Sequence, residues 1–261
     1  MGAEHILLLD IGNTNTKVGT ADEKGLSEAY VLPTDAFGTA DAFGFRLREI
    51  LDRQNLSESD IGACVACSVV PPVSVLLKRA SERFFGCRVL FAPQDLPLAV
   101  ENRYARPQEV GADRLTAAFA ARSLYAAQNL IVIDFGTATT FDVVSENAYL
   151  GGLICPGLLS SARGLATLTA KLPQISLEIE STELKIGQST AQSLNQGLIF
   201  GFAAMAEGLC GRLKDVLGGQ AMVIATGGFA ENIAHVCGVI DELRPDLLLE
   251  GLRLAYYRER T

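Results

Sequence analysis

Several features that mark common classes of enzyme are scarce or missing in this chain of 261 residues. It has only two histidines, His5 and His235, so a Ser-His-Asp or Cys-His mechanism would depend on one of them, and we discount such mechanisms. It contains no P-loop signature and no Gly-x-Gly, so neither a P-loop nor the usual dinucleotide-binding loop is available. Its six cysteines are scattered, which does not predict a disulfide framework.

Positive charge and long apolar runs are also scarce. The net charge is −8 at pH 7, which disfavours nonspecific binding to nucleic acid because phosphate neutralisation needs a basic face. The longest nearly unbroken apolar stretch, residues 198–206, is much shorter than the roughly 20 residues that span a bilayer. The N-terminus lacks a basic segment followed by a cleavable apolar one. We therefore expect a cytoplasmic protein with neither nucleic acid nor membrane as a partner.

Length and patterning predict two packed halves with the same order of elements. Hydrophobic residues make up 49% of the chain, which allows a core in each of two domains of roughly 120 residues. Each half begins with a three-strand meander and continues with alternating helix and strand, which is typical of mixed sheets with helices on their faces. The residues predicted as helices are 39–53, 73–85, 110–126, 189–217, 231–237 and 245–258. We expect Gly197, Gly201 and Gly208 to break or soften the helix at 189–217, and we expect residues 172–186 to be irregular.

The chain contains nearly the same segment twice. Residues 10–16 are Asp-Ile-Gly-Asn-Thr-Asn-Thr and residues 134–140 are Asp-Phe-Gly-Thr-Ala-Thr-Thr, and each follows an apolar strand. Such a turn exposes backbone N–H groups and hydroxyls that suit phosphate oxygens, and Asp10 can bind Mg²⁺ directly or through water. Asp134 also follows apolar residues, so its carboxylate needs a cation or several donors nearby. The repeat predicts a duplicated fold that grips a nucleotide's phosphates between its halves, although a plain hairpin turn also favours Asn and Gly.

A second candidate segment, Gly111-Ala112-Asp113-Arg114, begins an Ala-rich helix. One interpretation is structural, because an acidic residue in the first turn complements the helix dipole. The other is functional and makes Asp113 a general base and Arg114 a clamp for a substrate carboxylate or phosphate. Both interpretations stay open at this point.

Two glycines and two cysteines carry weaker signals. Thr226-Gly227-Gly228 follows a strand and precedes a helix, so the glycines either admit a flat ligand close to the backbone or only form a tight turn. Cys64 and Cys67 form a Cys-x-x-Cys pair inside a predicted buried strand, where their side chains would point to opposite faces. We therefore expect these cysteines to be structural and not a zinc or redox site.

In their order and spacing, these segments resemble the type III pantothenate kinases. The segments that carry the resemblance are 10–16, 111–114, 134–137 and 226–228, together with Ser68-Val-Val-Pro71 and Ile186-Gly-x-Ser-Thr190, and the match runs from about residue 6 to 255. The resemblance implies an α/β protein with the actin-like ATPase fold, in which two ribonuclease-H-like domains hold ATP in a cleft. We place these domains at residues 1–118 and 119–261.

The resemblance also implies an activity and its ligands. Such enzymes phosphorylate pantothenate with ATP, the first step toward coenzyme A, and use Mg²⁺ and a monovalent cation, K⁺ or NH₄⁺. They are usually homodimers. Two alternatives stay open, namely a kinase of the same superfamily that acts on another small alcohol, and a regulatory homologue that binds nucleotide without catalysis.

Residue roles follow by position from the same resemblance. The residues implied to hold ATP phosphates are Asp10, Ile11, Gly12, Asn13, Thr14, Asn15, Thr16 and Lys17, with Asp10 also on Mg²⁺. Thr137, Gly227 and Gly228 are implied to contact ATP as well, and Asp134 to bind the monovalent cation. The residues implied to contact pantothenate are Tyr104, Gly111, Ala112, Asp113, Arg114 and Thr190, with Asp113 as the general base and Thr190 reaching from a neighbouring subunit. One position departs from the family pattern, since many members have Asn where this chain has Ala117.

Overall fold

The computed structural model describes residues 5–169, 172–179 and 181–259, and these divide into two compact units. The first unit comprises the described residues up to Leu124 together with those from Asp246 onward, and the second runs from Tyr125 to Pro245. The ends of the two predicted domains, residues 1–4 and 260–261, lie outside the described residues.

Most strands and helices follow one another as the patterning predicts. The strands are β1 (His5–Ile11), β2 (Asn15–Ala21), β3 (Tyr30–Pro33), β4 (Ile61–Ser68), β5 (Val89–Phe91), β6 (Glu101–Asn102), β7 (Asn129–Phe135), β8 (Ala138–Ser145), β9 (Ala148–Pro156), β10 (Met222–Thr226) and β11 (Glu242–Leu243). The helices are α1 (Ala40–Arg53), α2 (Pro71–Ala80), α3 (Ala112–Leu124), α4 (Leu158–Leu168), α5 (Thr190–Val216), α6 (Ala230–Ala234) and α7 (Leu247–Arg258). Within the part of the chain described above, none of these helices has the length and apolar character needed to cross a membrane.

The two units have the same sheet topology. In the first unit the strand order is β3-β2-β1-β4-β5, with β1, β2 and β3 antiparallel and β1, β4 and β5 parallel. In the second unit β9-β8-β7-β10-β11 repeats this order, with β7, β8 and β9 antiparallel and β7, β10 and β11 parallel. The predicted α/β class with a duplicated mixed sheet is therefore confirmed.

Helices cover both faces of the first sheet. On one face, Leu47 of α1 and Leu77 of α2 pack in a core with Leu9 of β1. On the opposite face, Leu249 and Leu252 of α7 pack against residues of β1 and β4. Since β1 is buried on both faces, it reads in the sequence as a continuous apolar run without alternation.

The division into units differs from the predicted boundaries in two places. The break falls after Leu124, at the end of α3, and not after residue 118. In addition, α7 belongs to the first unit, because its apolar side chains pack on the first sheet and its Gly251 packs on α3. The sequence pattern correctly predicts an amphipathic helix here, but an apolar stripe does not say which sheet it will cover.

The expectation that glycines break the long helix is wrong. Helix α5 runs without interruption over 27 residues. Its buried residues recur at helical spacing and join the core of the second unit; they are Ile199, Phe202, Ala203, Ala206 and Cys210. Burial of this stripe outweighs the cost of about 1 kcal/mol that each interior glycine carries relative to alanine.

The segment between α4 and α5 is irregular, as predicted. Residues 172–179 and 181–189 contain no helix or strand, while residue 180 of the predicted stretch lies outside the described residues. Asn195 of α5 donates to the carbonyls of Ser176 and Glu178, at 3.1 and 2.9 Å, and so fastens this segment to the helix. Helix α4 itself was not predicted, and Leu158 is its only fully buried residue.

We predict that Gly251→Leu will destabilise the first unit. A Cβ at residue 251 would lie 2.9 Å from both the Cβ of Ala120 and the carbonyl oxygen of Thr116, so a larger side chain must push α7 away from α3. Overpacking of this kind costs about 1–3 kcal/mol, which urea unfolding followed by helical circular dichroism will measure. The matched control is Gly211→Leu, because no atom lies within 4 Å of a Cβ at that exposed helical position. Equal unfolding midpoints for the two variants would contradict the packing argument.

Candidate functional site

The first loop joins β1 to β2 and separates its side chains onto two faces. Asp10 pairs with Lys17 across β1 and β2 and with Cys67 across β1 and β4, so these three side chains share one face of the sheet. Cys67 belongs to the core beneath α7, which identifies that face. Ile11 pairs with Thr16 and lies in the core beneath α1 and α2, on the opposite face. Strand alternation therefore places the carboxylate of Asp10 on the α7 side.

Hydrogen bonds inside the first unit hold the loop in shape. Gly12 N–H donates to the Asn15 carbonyl at 3.0 Å, and the Thr34 hydroxyl donates to the Gly12 carbonyl at 2.7 Å. Because that hydroxyl has a single proton, the buried Thr16 hydroxyl, 2.9 Å away, is the donor to Thr34. Of the residues predicted to hold phosphates, Ile11 and Thr16 thus have side chains that are committed to the fold.

Lys17 has a partner within the same unit. Its Nζ donates to Asp246 Oδ1 at 3.2 Å, and Asp246 precedes α7. The Lys17 side chain is 22% exposed and that of Asp246 43% exposed, so the pair is open to solvent on one side. The ion pair holds the ammonium group on the same face as Asp10, where a phosphate could draw it away at modest cost, since exposed pairs contribute about 0.2–1 kcal/mol.

The candidate base Asp113 lies in the same region as Asp10. Helix α3 packs against α7 and β4, and Asp113 is in its first turn. Burial raises the pKa of the Cys67 thiol well above its ordinary value, and the charges of Asp10 and Asp113 raise it further. The negative charges of both carboxylates therefore reach the same buried sulfur at the end of the first sheet. The structure brings together two acidic residues that are about a hundred positions apart in the sequence.

The start of α3 fixes the orientation of the Asp113 carboxylate. Its Oδ1 accepts the backbone N–H of Arg114 at 2.8 Å. A Cβ at Gly111 would overlap this oxygen, so the glycine leaves the space that the carboxylate fills. Ala117, which departs from the family pattern, is 3% exposed and faces the interior of the unit.

The other predicted pantothenate residues are distributed over both units. Tyr104 lies in the first unit, in a loop where its N–H donates to Asn102 Oδ1 at 3.0 Å and Asn102 Nδ2 donates to the Pro107 carbonyl at 3.2 Å. Thr190 is in the second unit, where it is exposed at the first position of α5. Ser189 caps that helix by accepting the N–H of Gln192 at 3.3 Å.

The second loop repeats the pattern of the first with one residue fewer. Asp134 pairs with Thr140, and Phe135 pairs with Thr139. In the first loop the equivalent pair is Asp10 and Lys17, and these two residues are one position further apart. Gly136 N–H donates to the Ala138 carbonyl at 3.0 Å and closes the turn. Phe135 and Thr139 are buried, and the Thr139 hydroxyl has no hydrogen-bond partner among the described residues.

Gly227 lies directly against Asp134. In the parallel pair β7–β10, Thr226 is opposite Asp134, and the next residue, Gly227, has φ +95°. A Cβ there would overlap Asp134 Oδ1 and lie 2.7 Å from the backbone of Phe135, so only glycine fits. The tight turn is therefore present at this position, while the close approach of a ligand to the glycines stays a prediction. Gly228 is exposed, with no atom within 4 Å of a Cβ.

Sequence reasoning missed two residues that support the second loop. A Cβ at Gly157 would lie 2.6 Å from the Gly136 carbonyl oxygen, and Ser160 Oγ donates to the Thr137 carbonyl at 2.7 Å. Both residues are at the start of α4, the helix that was not predicted. The available signal was Pro156 followed by Gly157 at the end of a strand, which marks a turn before a new element.

Each unit therefore presents one loop that carries a carboxylate. In the first unit, Asp10 and the turn residues 12–15 offer hard oxygen ligands and backbone N–H groups beside a second acid, Asp113. In the second unit, the glycines at 136 and 227 pack closely against the carboxylate of Asp134. These groups suit a cation and phosphate oxygens.

The family model and the sequence relatives agree on one family. The family model described as type III pantothenate kinase matches residues 6–212. The chain is 58% identical to the type III pantothenate kinase of Nitratidesulfovibrio vulgaris strain Miyazaki F, over 97% of each chain. It is 55% identical to the type III pantothenate kinase of Oleidesulfovibrio alaskensis, over 96% of this chain and 95% of the other. The crystal structure of ROK hexokinase from Thermus thermophilus is similar with a TM-score of 0.51 and 17% identity, over 98% of this chain and 100% of that one, and shows the fold alone.

We predict that Gly227→Ala will destabilise the second unit and that Gly228→Ala will not. Alanine at position 227 must adopt an unfavourable positive φ and also displace the Asp134 carboxylate. The expected loss is about 1–3 kcal/mol in the free energy of unfolding, measured by chemical denaturation. At position 228 a methyl group meets open space, so the unfolding curve should stay within about 0.5 kcal/mol of the parent. Equal losses for both variants would contradict the close packing on Asp134.

Proposed function

Because this chain belongs to the type III pantothenate kinase family, we propose that it phosphorylates pantothenate with ATP in the first step toward coenzyme A, and that three carboxylates carry the reaction. These are Asp10, Asp113 and Asp134. The observation that supports this most directly is the placement of Asp10 and Asp113 around the buried Cys67 thiol, at one end of the first sheet. A loop that suits phosphates and an acid that can receive an alcohol are then neighbours within one unit.

Asp10 and the turn that follows it are proposed to hold the Mg²⁺ complex of ATP. The donors present are a partly buried carboxylate, the Thr14 hydroxyl and the backbone of residues 12–15, and oxygen ligands of this kind are what Mg²⁺ prefers. When bound, the ion would neutralise charge on the transferring phosphate. Ile11 and Thr16 contribute through their backbone, because their side chains are buried in the first unit. Lys17 contributes an ammonium group that its pair with Asp246 keeps on the same face as Asp10.

Asp113 is proposed to position the pantothenate hydroxyl and to receive its proton. One carboxylate oxygen is fixed by the Arg114 N–H, so the carboxylate has a defined orientation toward a substrate. An aspartate carboxylate is a weak base toward an alcohol. The larger part of its role is therefore to orient the alcohol, and the proton is transferred late.

Asp134 is proposed to bind the monovalent cation, K⁺ or NH₄⁺. The glycines at 136 and 227 pack against its Oδ1 and so fix the position of this oxygen ligand. When bound, the cation would offset phosphate charge that this acidic chain offsets poorly on its own. Thr137, Gly227 and Gly228 of the same unit are proposed to contact the nucleotide.

The remaining roles are also proposals. Tyr104, Gly111, Ala112 and Arg114 would contact pantothenate from the first unit, and Thr190 from the second. A homodimer in which Thr190 acts on a neighbouring subunit stays a prediction, as does the cytoplasmic location. Large exposed apolar side chains in the second unit, such as Leu168 at 86% exposure and Ile186 at 94%, are consistent with a surface that another subunit covers.

We predict that Asp113→Asn will lower turnover at least about a hundredfold, the range for loss of a general base, and leave ATP affinity nearly unchanged. The measurement is ADP release with pantothenate as acceptor, together with ATP binding by calorimetry. Asp52→Asn is the matched control, because Asp52 is exposed on α1, and it should retain parental turnover. Parental turnover in Asp113→Asn would reject the role. Faster ADP release with other small alcohols than with pantothenate would reject the proposed substrate.

We predict that Asp134→Asn will raise the K⁺ concentration needed for half-maximal activity at least about tenfold. Two unit charges about 4 Å apart attract by about 4 kcal/mol at an effective dielectric constant near 20, so loss of even part of this attraction reaches that factor. Potassium titrations of ADP release will measure it, with Asp215→Asn, an exposed acid on α5, as the matched control. If both variants keep the K⁺ dependence of the parent, Asp134 is not the cation ligand.

A further inference from the structure

Two cysteines of the first unit are in contact although 23 positions separate them. The Sγ atoms of Cys64 and Cys87 are 3.7 Å apart. Cys64 is fully buried in β4, whereas Cys87 is partly exposed in the connection that leads to β5. The conspicuous Cys-x-x-Cys pair is not this pair, because Cys67 lies in the core on the opposite face of the sheet.

A buried serine joins the two thiols into one hydrogen-bonded group. Ser81 begins the π-helical turn Ser81–Phe85 and is 0% exposed. Its Oγ lies 3.1 Å from Cys64 Sγ, 3.4 Å from Cys87 Sγ and 2.8 Å from the Cys87 carbonyl oxygen. Hydrogen bonds, of which that from the Cys64 thiol has the largest effect and that from Ser81 adds to it, outweigh burial and lower the pKa of Cys87 to about 6. The same thiol contact is the largest cause of the raised pKa of Cys64.

The segment that carries Cys87 is anchored on the fold. A Cβ at Gly44 of α1 would overlap the ring of Phe84, so the π-helical turn packs directly on that helix. Phe84 also makes an edge-to-face contact with Phe45, with ring centroids 5.1 Å apart. On the other side, Cys64 N–H contacts the Arg88 carbonyl at 3.4 Å. Both sulfurs are therefore held near each other by packing on either side of the pair.

We propose that Cys87 and Cys64 are an oxidation site, in which hydrogen peroxide oxidises Cys87 and Cys64 then closes an intramolecular disulfide. Nothing in this proposal depends on the kinase reaction. The exposed edge of Cys87 admits the oxidant, while Cys64 is shielded from solvent and can react only with its neighbour. A disulfide that forms and is reduced again is the usual kind in reducing compartments.

The chemistry balances in two steps. The Cys87 thiolate attacks one peroxide oxygen, so an S–O bond forms, the O–O bond breaks, and hydroxide leaves and takes a proton to become water. Cys64 sulfur then attacks Cys87 sulfur, so the S–S bond forms, the S–O bond breaks, and the oxygen leaves as water with the proton of the Cys64 thiol. Two thiols and one hydrogen peroxide give one disulfide and two waters, and two electrons pass from sulfur to peroxide.

Other buried cysteines make poor competitors. Burial raises the pKa of Cys67 well above its ordinary value and that of Cys210 to about 12, and burial also raises the pKa of Cys237. The thiolate is the reactive form, so these three thiols should react slowly at neutral pH. Cys155 is partly exposed on β9 and serves as the natural comparison in the second unit.

The test uses the reduced, full-length protein treated with hydrogen peroxide at pH 6 to 7. Remaining thiols are blocked with N-ethylmaleimide, and peptides are mapped without reduction by tandem mass spectrometry. The expected product is a Cys64–Cys87 linked peptide that disappears after dithiothreitol. Absence of the link at peroxide levels that fully oxidise a free cysteine control would overturn the proposal, as would a link from Cys87 to Cys67.

Single variants separate the two steps. In Cys64→Ser, a sulfenic acid should accumulate on Cys87 and be trapped by dimedone, because its partner is gone. In Cys155→Ser the Cys64–Cys87 link should form as in the parent, and in Cys87→Ser it should be lost without dimedone labelling at position 64. Dimedone labelling of Cys155 ahead of Cys87 in the Cys64→Ser protein would contradict the assignment of Cys87 as the first thiol to react.

The pH dependence gives an independent readout of the Cys87 thiol. The groups that face it are Cys64, Ser81 and the backbone N–H of Cys64. Its alkylation rate should be half-maximal near pH 6, the pKa of Cys87. At that pH it should exceed the rate of an ordinary cysteine about tenfold, once the lower nucleophilicity of an acidic thiolate is included. An alkylation rate of Cys87 that is half-maximal only above pH 8 would contradict its lowered pKa and its role as the first thiol to react.

Discussion

The pleat of a β-strand, which sends successive side chains to opposite faces, governs both candidate loops. In the first unit it directs Asp10 to the side of α7, while Ile11 and Thr16 are buried on the side of α1 and α2. In the second unit the same alternation separates Asp134 from the buried Phe135. In each loop the residue that follows the aspartate is buried in a core. This burial fixes the position of the strand and therefore of the carboxylate.

The two loops are similar in sequence but are supported in different ways. The first loop contains one residue more and is held by Thr34, the residue after β3. The Thr34 hydroxyl accepts a hydrogen bond from the Thr16 hydroxyl and donates one to the Gly12 carbonyl. The second is shorter and is supported by close backbone packing, because Gly157 and Gly227 lie where any side chain would collide with it. Hydroxyl hydrogen bonds thus hold the first loop, whereas close packing of glycines holds the second loop and its carboxylate. The two copies of the loop also have different proposed ligands. These are phosphates with Mg²⁺ in the first unit and a monovalent cation in the second.

Much of the architecture was predictable from local pattern. Apolar runs, turns and helical periodicity predicted most helices and strands, the mixed sheets and the duplication, and the family resemblance is confirmed by relatives above 50% identity. The errors have physical causes. Glycines did not interrupt α5 because its buried stripe compensates for them, and helix α4, which follows the Pro156-Gly157 turn, was missed. The roles of individual site residues, from Tyr104 to Thr190, stay predictions, since backbone order does not reveal what a ligand contacts.

The sequence by itself determined which residue types follow each strand, since the apolar runs and the Asp-x-Gly turns are properties of local order and period. Only the tertiary structure decided which of them meet. It brought Asp10 and Asp113 close enough to Cys67 for both charges to raise the pKa of that thiol, and it joined Cys64 to Cys87 and not to Cys67. It also returned α7 to the first unit. The reason is that pairing between distant segments depends on how helices and strands pack in three dimensions, and an apolar face of a given period does not specify its partner.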